Sequence, residues 1–401
     1  MDTRPDWITD ELLGKILNAK GEGKITVQSS EVTAATKPGD NYGSNMYRAS
    51  MQITRNGHHE TISLVIKAEL INTEISKMTT EVGAFDKEIT MFDVVIPTLR
   101  KILEDAAPGK YPLYAAKCFY THHGTPVSFL AFEDLKAVGY SLALHSDGLD
   151  MKHCLLTLRT LAAYHAAGVV MEKTEPQKID KFRDYFWREN MRESMEKMFN
   201  PVLHNVALEA ENWPECKGQI VDSLKRLSVS SFDHLLESTR RNEEDFHVLC
   251  HGDVWMNNLM FRYSDGCKDV TYMRFVDFQM CCWGSPSLDL AYFINANASI
   301  EVLENQNILI DEYHKVLCDT LNVLGHGHLS PKKSHIYEQY EKRHKFGLIT
   351  GIVVRSAIFA EKDSKPDMEG ILRGEGRFEF SDKFKSHIRS ALSIFHKKGW
   401  L

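Results

Sequence analysis

The sequence lacks the patterns that identify several common classes of protein. Its eight cysteines include no C-x-x-C pair, so neither a paired-cysteine zinc site nor a thioredoxin-like redox site is predicted. No basic block stands out and the formal net charge is −7, which argues against a nucleic-acid partner. Apolar stretches such as residues 347–354 are too short to cross a membrane, and charges occupy the first residues, where a signal peptide would be apolar. These absences predict a cytoplasmic protein with no membrane span, and nothing indicates an obligate protein partner.

A set of polar residues between positions 251 and 279 is the most informative feature that is present. Asp253 is followed by Asn258 five residues later and by Asp277 twenty-four residues later. Phosphoryl transfer to a hydroxyl needs such a set, because one carboxylate takes the proton while an amide and a second carboxylate hold magnesium. The spacing from Asp253 to Asn258 equals that of the protein-kinase catalytic loop.

The residues between Asn258 and Asp277 predict a β-hairpin. Residues 259–263 and 270–276 are rich in aromatic and β-branched side chains, and a Ser-Asp-Gly turn signal lies between them. A hairpin would bring Asp277 back beside Asn258, so that both could hold one cation. The alternative is that Asp277 caps a helix and that Asp253 is an ordinary loop residue.

The first third of the chain is predicted to be β-rich. Period-two alternation predicts strands at residues 24–36, 46–55 and 61–68. The turn-rich segment between the first two contains Gly39, Asn41 and Gly43, and glycine lets backbone N–H groups approach phosphates closely. An ordinary hairpin turn is the alternative. The segment lacks the Gly-Lys-Ser/Thr ending of a P-loop, which argues against the Walker family.

Lys67 and Glu88 are predicted to form an ion pair. Lys67 ends the third strand, and a lysine on a buried strand needs a charged partner or an anion. Phe85, Ile89 and Phe92 recur at helical spacing around Glu88, which predicts a helix facing the sheet. The pair matches the strand lysine and helix glutamate that hold nucleotide phosphates in kinases. A solvated lysine on an edge strand is the alternative.

The pattern changes from strands to helices near residue 134. Two more strands are predicted near 113–121 and 127–132, and the second leads into Glu133-Asp134-Leu135. This predicts an α+β protein with two lobes: a small β-rich nucleotide-binding lobe, residues 1–134, and a larger, mostly helical lobe, residues 135–401, for catalysis and acceptor binding. Helices are predicted at residues 151–167, with Asp150 as N-cap and His165 at the edge of the core, and at 183–198, 218–240, 300–324, 331–358 and 382–398, with a surface loop at 361–380.

Taken together, these motifs make the sequence similar to the ecdysteroid kinase-like (CHK kinase-like) proteins, relatives of the choline kinases and aminoglycoside phosphotransferases. The resemblance extends from the loop at Gly39 to the helices after Asp289. The motifs that carry it are His251-Gly252-Asp253, Trp255, Asn257-Asn258, Phe261, Val276-Asp277-Phe278-Gln279, Asp289-Leu290-Ala291, Glu133-Asp134-Leu135 and Leu161-Ala162-Ala163-Tyr164-His165-Ala166.

The resemblance implies a bilobal protein-kinase-like fold with ATP and Mg²⁺ in the cleft. It makes Asp253 the catalytic base and Asn258 and Asp277 the metal ligands. The other implied roles are nucleotide binding by Lys67, Glu88, Gly39, Asn41, Gly43, Glu133 and Leu135, and structural support by His251 and Asp289.

The implied function is transfer of the ATP γ-phosphate to a hydroxyl of an apolar small molecule, an ecdysteroid or a related hydroxylated compound. A protein substrate is disfavoured because no Ala-Pro-Glu-like segment follows Asp277. The alternatives are a choline/ethanolamine-type or aminoglycoside-type kinase and a catalytically silent, ligand-binding relative. Candidate aromatic residues for an apolar pocket are Tyr185, Phe186, Trp187, Trp283, Tyr292 and Phe293.

Overall fold

The computed structural model describes residues 4–19, 21, 24–36, 43–143, 147–264, 269–361, 367–373 and 379–401. A β-rich N-terminal part precedes a mainly helical C-terminal part, which confirms the predicted α+β fold with two lobes. The N-terminal elements are α1 (Asp10–Asn18), β1 (Ile25–Ala34), β2 (Ser44–Arg55), β3 (His58–Glu69), α2 (Glu74–Glu81), α3 (Ala84–Thr90), α4 (Ile96–Ala106), β4 (Cys118–His122) and β5 (Phe129–Glu133). The C-terminal elements are β6 (Tyr140–Leu142), α5 (Met151–Thr174), α6 (Arg192–Ala210), α7 (Gln219–Thr239), β7 (Val248–Cys250), β8 (Leu259–Tyr263), β9 (Val270–Phe275), β10 (Cys282–Gly284), α8 (Pro286–Asn297), α9 (Ile300–Glu304), α10 (Gln306–Val323), α11 (Lys333–Lys342), α12 (His344–Ile358), α13 (Met368–Leu372) and α14 (Asp382–Lys397).

A five-stranded antiparallel sheet forms the N-terminal part, in the order β1-β2-β3-β5-β4. Strands β2 and β3 pair along their whole length. Asn56 and Gly57 close this hairpin with φ angles of 50° and 87°, and both residue types tolerate the positive φ that a tight hairpin turn requires. The strands predicted at residues 46–55 and 61–68 are present and extend up to the turn.

Two hydrophobic cores hold the chain together. The smaller one lies between the sheet and α1, where Leu13 and Ile16 pack with Met51 of β2. The larger one fills the C-terminal part and includes the buried faces of α3 and α4. Because α3 and α4 share this larger core, the packing does not divide at residue 134, and the lobe boundary at that residue stays a prediction.

Helices α3 and α4 are continuous through one π-helical turn at residues 91–95. Pro97 lies in the first turn of α4 and cannot donate a backbone hydrogen bond, which favours such a local widening of the helix. The helix predicted around Glu88 is therefore present, and the π turn changes the direction of its buried face before α4 packs on α5.

Helix α5 is the central helix of the C-terminal part. The Asp150 side chain caps it by accepting a hydrogen bond from the backbone N–H of His153 at 3.0 Å, as predicted. Among the described helices, α5 is the one that is long and apolar enough to span a membrane, but 78% of its most apolar window is buried inside the protein. A core helix meets the same criteria of length and composition.

The hairpin that was expected between the two proposed metal ligands is present. Strands β8 and β9 pair antiparallel, and β6 joins them as a third strand. Beyond the hairpin, the backbone N–H of Val276 donates to the carbonyl oxygen of Asn258 at 3.0 Å. Asp277 therefore follows directly after a residue that is bonded to Asn258.

The helices predicted at residues 300–324 and 331–358 are each divided into two, α9 with α10 and α11 with α12, and two further predictions for the helical part are wrong. The helix expected at residues 183–198 begins only at Arg192, and the segment before it contains short 3₁₀ turns. Three consecutive aromatic residues at 185–187 fit an irregular segment better than the spaced apolar positions of a helix. The loop expected at residues 361–380 contains the short helix α13 within its described portion, residues 367–373.

Candidate active site

The loop after β7 carries Asp253, and its shape depends on Gly252. Gly252 has φ of 84°, and a Cβ atom there would overlap the carbonyl oxygen of Met280. The backbone N–H groups of His251 and Gly252 donate to the two carboxylate oxygens of Asp289, at 2.7 and 2.8 Å. These are the contacts that the predicted supporting role of Asp289 requires.

Asp289 is buried and has further partners behind the loop. His165 Nε2 lies 3.0 Å from Asp289 Oδ2, and His165 Nδ1 lies 2.8 Å from the hydroxyl of Tyr313. The prediction that His165 lies at the edge of the core is wrong, since its side chain is fully buried. A buried carboxylate needs several hydrogen bonds to offset its desolvation, and His165 adds one to the two that the loop backbone supplies.

His251 contributes to the loop from inside the core. Its ring packs against Phe275 and Phe278 with centroid distances of 5.2 and 4.7 Å. Its Nδ1 atom accepts a hydrogen bond from the backbone N–H of Asp253 at 3.3 Å. Burial lowers the pKa of His251 to about 4, so the ring stays neutral and can accept this bond at neutral pH.

Both carboxylate oxygens of Asp253 accept hydrogen bonds. The hydroxyl of Tyr292 donates to Oδ1 and the Asn258 amide nitrogen donates to Oδ2, each at 2.8 Å. Burial, together with the nearby charge of Asp277, raises the pKa of Asp253 to about 7. The carboxyl group is therefore oriented on both sides and easily takes up a proton.

Lys67, Glu88 and Asp277 meet in one charged cluster, although they are far apart in the sequence. Lys67 Nζ lies 2.6 Å from Glu88 Oε2 and 3.0 Å from Asp277 Oδ1. Burial lowers the pKa of Lys67, but the charges of Asp277 and Glu88 outweigh it, so the net pKa is raised and the lysine is cationic. The backbone N–H of Phe278 donates to Glu88 Oε1 at 3.1 Å, which ties the helix glutamate to the segment that carries Asp277.

Asp277 has an unusual backbone conformation for a residue with a side chain. Its φ is 67°, in the left-handed region, where aspartate is tolerated better than most residues. Strained backbone of this kind is often found where function fixes the direction of a side chain. Here it accompanies the carboxylate that is paired with Lys67.

The donor atoms around Asp253 fit a magnesium ion. Asn258 uses its amide nitrogen for Asp253, which leaves its amide oxygen as the atom that can bind a cation. Asp277 pairs with Lys67 through Oδ1 and retains Oδ2. Carboxylate and amide oxygens are hard ligands of the kind that Mg²⁺ prefers, and the mutual repulsion of Asp253 and Asp277 is relieved by a cation.

The predicted glycine-containing loop is described in part. Gly39 and Asn41 lie outside the described residues. Gly43 lines the cleft beneath the sheet, and a Cβ atom there would lie 3.1 Å from Gln279 Oε1. The backbone at Gly43 thus runs close to the segment that carries Asp277, and its contact with a nucleotide stays a prediction.

The predicted hinge residues lie at the same cleft. Leu135 is buried and lines it. The Glu133 carboxylate forms an ion pair with Arg274 and accepts a hydrogen bond from the backbone N–H of Lys117. The side chain of Glu133 therefore holds β5 to its neighbours, and nucleotide binding at this segment stays a prediction that concerns its backbone.

One cavity of about 670 Å³ is lined both by residues of this cleft, among them Asp253, Asp277 and Tyr292, and by a group of uncharged, mainly apolar residues. We call the part of the cavity that these uncharged residues line the apolar chamber, and the term refers only to residues that the structure describes. Its residues are Ile75, Met78 and Thr79 of α2, Phe186 and Trp187, Met195, Met198, Phe199 and Val202 of α6, Thr350, Val353, Val354, Ser356 and Ala357 of α12, and Met368 and Leu372 of α13.

Three aromatic side chains form one wall of the apolar chamber. Trp187 makes edge-to-face contacts with Phe186 and Phe199, with ring centroids 5.1 and 5.5 Å apart. Of the aromatic residues proposed from the sequence, Phe186, Trp187 and Tyr292 line the cavity, whereas Tyr185, Trp283 and Phe293 are not among its lining residues. The walls from α12 and α13 were not foreseen, although apolar residues in α12 recur at helical spacing.

The two-lobed fold and this arrangement of lysine, glutamate, aspartates and asparagine are those of a kinase-like phosphotransferase. A model of the ecdysteroid kinase-like family matches residues 38–326, which is most of the chain, so the chain belongs to the ecdysteroid kinase-like family. Membership confirms the predicted resemblance, and the kinase-like character of the family agrees with the predicted enzyme class, an ATP-dependent phosphotransferase acting on hydroxyl groups of small molecules.

Other similarities are more limited. A 4-hydroxytryptamine kinase of Psilocybe cyanescens is 32% identical over 60 residues, a match that covers 15% of this chain and 16% of that protein. The GDP complex of wild-type aminoglycoside 2'-phosphotransferase-IIIa is 13% identical, with coverage of 97% and 100% of the two chains and a TM-score of 0.36. The GDP and kanamycin complex of APH(2")-IIia is 14% identical, with coverage of 83% and 97% and the same TM-score of 0.36.

Proposed function

We propose that this chain transfers the γ-phosphate of ATP, with Mg²⁺, to a hydroxyl group of an uncharged, largely apolar acceptor, such as an ecdysteroid or a related hydroxylated compound. The observation that carries the proposal is the apolar chamber, whose described lining residues are uncharged and mainly apolar and which belongs to the same cavity as Asp253. Apolar walls with a few polar groups are typical of sites for apolar ligands. The proposal includes a cytoplasmic location, which is supported by the free thiols of the described cysteines.

The nucleotide is proposed to lie beneath the five-stranded sheet. Lys67, held by Glu88, would neutralise phosphate charge, and the backbone near Gly43 would cover the phosphates. The backbone from Glu133 to Leu135 would contact the base. Asn258 and Asp277 would hold Mg²⁺, which supplies charge neutralisation for the phosphates.

Asp253 is proposed to be the catalytic base. Tyr292 and Asn258 fix the plane of its carboxylate, so that a remaining lone pair can accept the proton of an acceptor hydroxyl in the cavity. Holding this hydroxyl in line with the γ-phosphate supplies much of the rate, because the reaction then becomes effectively intramolecular. Asp253 is only partly exposed, and an acceptor bound in the cavity would displace water from beside it, which limits transfer of phosphate to water.

An aromatic compound that carries one amine is a second candidate acceptor. Phe186, Trp187 and Phe199 present ring faces and edges that could hold one cation by cation–π contact. The relative named 4-hydroxytryptamine kinase points to the same chemistry. Polycationic acceptors such as aminoglycosides are disfavoured, because the described residues of the apolar chamber include no carboxylate that could pair with several positive charges.

An acceptor panel tests the proposal. The purified chain is incubated with ATP and Mg²⁺ and with 20-hydroxyecdysone, 4-hydroxytryptamine, choline or kanamycin, and products are identified by mass spectrometry. We expect a phosphorylated steroid, formed only when Mg²⁺ is present. Phosphorylation of choline or kanamycin alone would contradict the apolar acceptor, and product from 4-hydroxytryptamine alone would favour the second candidate.

A further inference from the structure

Helix α13 is tied to helix α2 by one glutamate, although the two helices are nearly 300 residues apart in the chain. Glu369 Oε2 accepts a hydrogen bond from the backbone N–H of Glu74, and Oε1 accepts one from Ile75, each at 3.0 Å. These two N–H groups open α2 and have no partner within the helix itself. A carboxylate at a helix N-terminus is also favoured by the helix dipole.

The other N–H groups at the start of α2 are satisfied locally. Thr73 and Ser76 form a reciprocal capping box, in which each side chain bonds to the backbone N–H of the other. Glu369 therefore completes a cap that is otherwise self-contained. Helix α2 does not need a distant carboxylate to begin, so the contact points to a reason for joining the two helices.

That reason lies in the apolar chamber. Helix α2 contributes Ile75 and Met78 to the chamber wall, and α13 contributes Met368 and Leu372. Glu369 lies between the two chamber residues of α13, and Ile75 is both its hydrogen-bond partner and a wall residue. Helix α13 also packs on α6, so the contact joins a helix from the N-terminal part to the C-terminal wall.

Resting on the proposed function, we propose that Glu369 is a positioning residue for the acceptor. By docking α13 onto the start of α2, it closes the apolar chamber between the two parts of the chain. The acceptor that fits the closed chamber is neutral, extended and apolar. It would contact Met78 of α2 and Leu372 of α13 at the same time, which is possible only when both helices are in place. None of the residues proposed to bind the nucleotide lies on α2 or α13, so we expect nucleotide binding not to depend on the closure.

Binding measurements with three variants test this proposal. The variants are Glu369→Ala, which removes the tie, Leu372→Ala, which keeps the tie and truncates the wall, and Glu338→Ala, a control for an exposed glutamate on α11. The dissociation constant of 20-hydroxyecdysone is measured from quenching of tryptophan fluorescence, since Trp187 lines the chamber, and that of ATP with Mg²⁺ by calorimetry.

We expect Glu369→Ala to weaken steroid binding roughly tenfold, because it loses two charge-assisted hydrogen bonds that hold the wall. We expect the ATP constant to change less than about twofold, Leu372→Ala to weaken steroid binding severalfold, and Glu338→Ala to match the wild type. A merely stabilising cap would instead lower the melting temperature of Glu369→Ala and leave both constants unchanged.

The outcomes separate this proposal from the proposed function. Equal steroid affinity in Glu369→Ala and wild type would overturn the positioning role, whether or not the enzyme phosphorylates the steroid. Wild-type protein that binds the steroid in a Glu369-dependent manner but transfers no phosphate would support the closure and contradict the acceptor assignment. Failure of the wild type to bind the steroid at all would overturn both.

Discussion

At the scale of single residues, the contact between Asp253 and Tyr292 orients the carboxylate that is proposed to act as the catalytic base. The Tyr292 hydroxyl donates to Asp253 Oδ1 from helix α8, three residues after Asp289, which holds the backbone of the same loop. One helix thus fixes both the position of the loop and the direction of its carboxylate. A base held in this way loses little entropy when the acceptor arrives.

Removal of the Tyr292 hydroxyl tests this contact. We expect Tyr292→Phe to lower kcat for phosphate transfer about 10- to 100-fold, the equivalent of one hydrogen bond to a charged group, about 1.5–3 kcal/mol. The dissociation constant for ATP should change little, because the phenol does not belong to the Lys67–Glu88 cluster. Steady-state kinetics measure kcat, and Tyr272→Phe, on the exposed Tyr272, is the matched control. An unchanged kcat with a raised KM for the acceptor would show that the phenol binds the acceptor and does not orient the base.

Sequence spacing predicted some of these residues and not others. Asp253, Asn258, Asp277, Lys67 and Glu88 are brought together as expected, because kinase-type spacing and a hairpin leave few arrangements. The sequence predicted Tyr292 only as an aromatic residue of an apolar pocket, because the neighbouring residues in the sequence do not indicate the direction of its hydroxyl group. The location of His165 was predicted wrongly, because the residues around a histidine on an apolar helix do not show that a buried carboxylate lies opposite it.

At the scale of elements, helix α8 is fixed at its C-terminal end by a buried arginine. Arg355 of α12 donates to the carbonyl oxygens of Asn295 and Ala298, at 2.6 and 2.8 Å. Arg355 Nη1 also lies 3.3 Å from His387 Nδ1 of α14. Since α8 carries Asp289 and Tyr292, this chain of contacts extends from α14 to the helix that supports the catalytic loop.

The His387 contact makes stability depend on pH. Burial, and after it the charge of Arg355, lowers the pKa of His387 to about 4, from an ordinary value of 6.5. The unfolded chain therefore binds a proton more tightly than the folded one, so stability is retained above pH 6.5 and is lost as the pH falls toward 4. The loss from this group amounts to at most roughly 3 kcal/mol.

A variant isolates the effect. His387→Asn keeps an acceptor for Arg355 but cannot be protonated in this range, so the fall in the free energy of unfolding between pH 7 and pH 4.5 should become smaller. Urea denaturation at both pH values measures it, with His58→Asn, at an exposed position on β3, as the control. If His387→Asn and wild type lost equal stability, another group would be responsible.

Side-chain caps mark the start of two helices whose N-terminal boundaries were predicted well. Asp150 and Ser381 cap α5 and α14, and both helices begin where the sequence indicates. Helix α6 has no side-chain cap and continues through Pro201, so neither its start nor its length has a clear local signal. Helix α13 is only five residues long, and its place is set by contacts with α2 and α6 that are remote in sequence.

At the scale of the whole molecule, function depends on contacts between the two parts of the chain. Lys67 of β3 bonds to Asp277, and Glu88 of α3 bonds to the backbone of Phe278. The Glu369 contact closes the other side of the same cavity. The sequence predicted the pairing of Lys67 with Glu88, whereas their contacts with Asp277 and Phe278 and the closure of the chamber by α2 and α13 follow only from the folded arrangement.

The central claim is that Asp253 activates the hydroxyl of an acceptor bound in the shared cavity. The most direct test compares phosphate transfer by wild type and by Asp253→Asn at saturating ATP, Mg²⁺ and acceptor, with Asp222→Asn, on the exposed Asp222, as the matched control. We predict that Asp253→Asn lowers kcat about 10²- to 10⁴-fold, the usual contribution of a general base, while calorimetry shows ATP binding close to that of wild type. Transfer by Asp253→Asn at the wild-type rate would contradict the account.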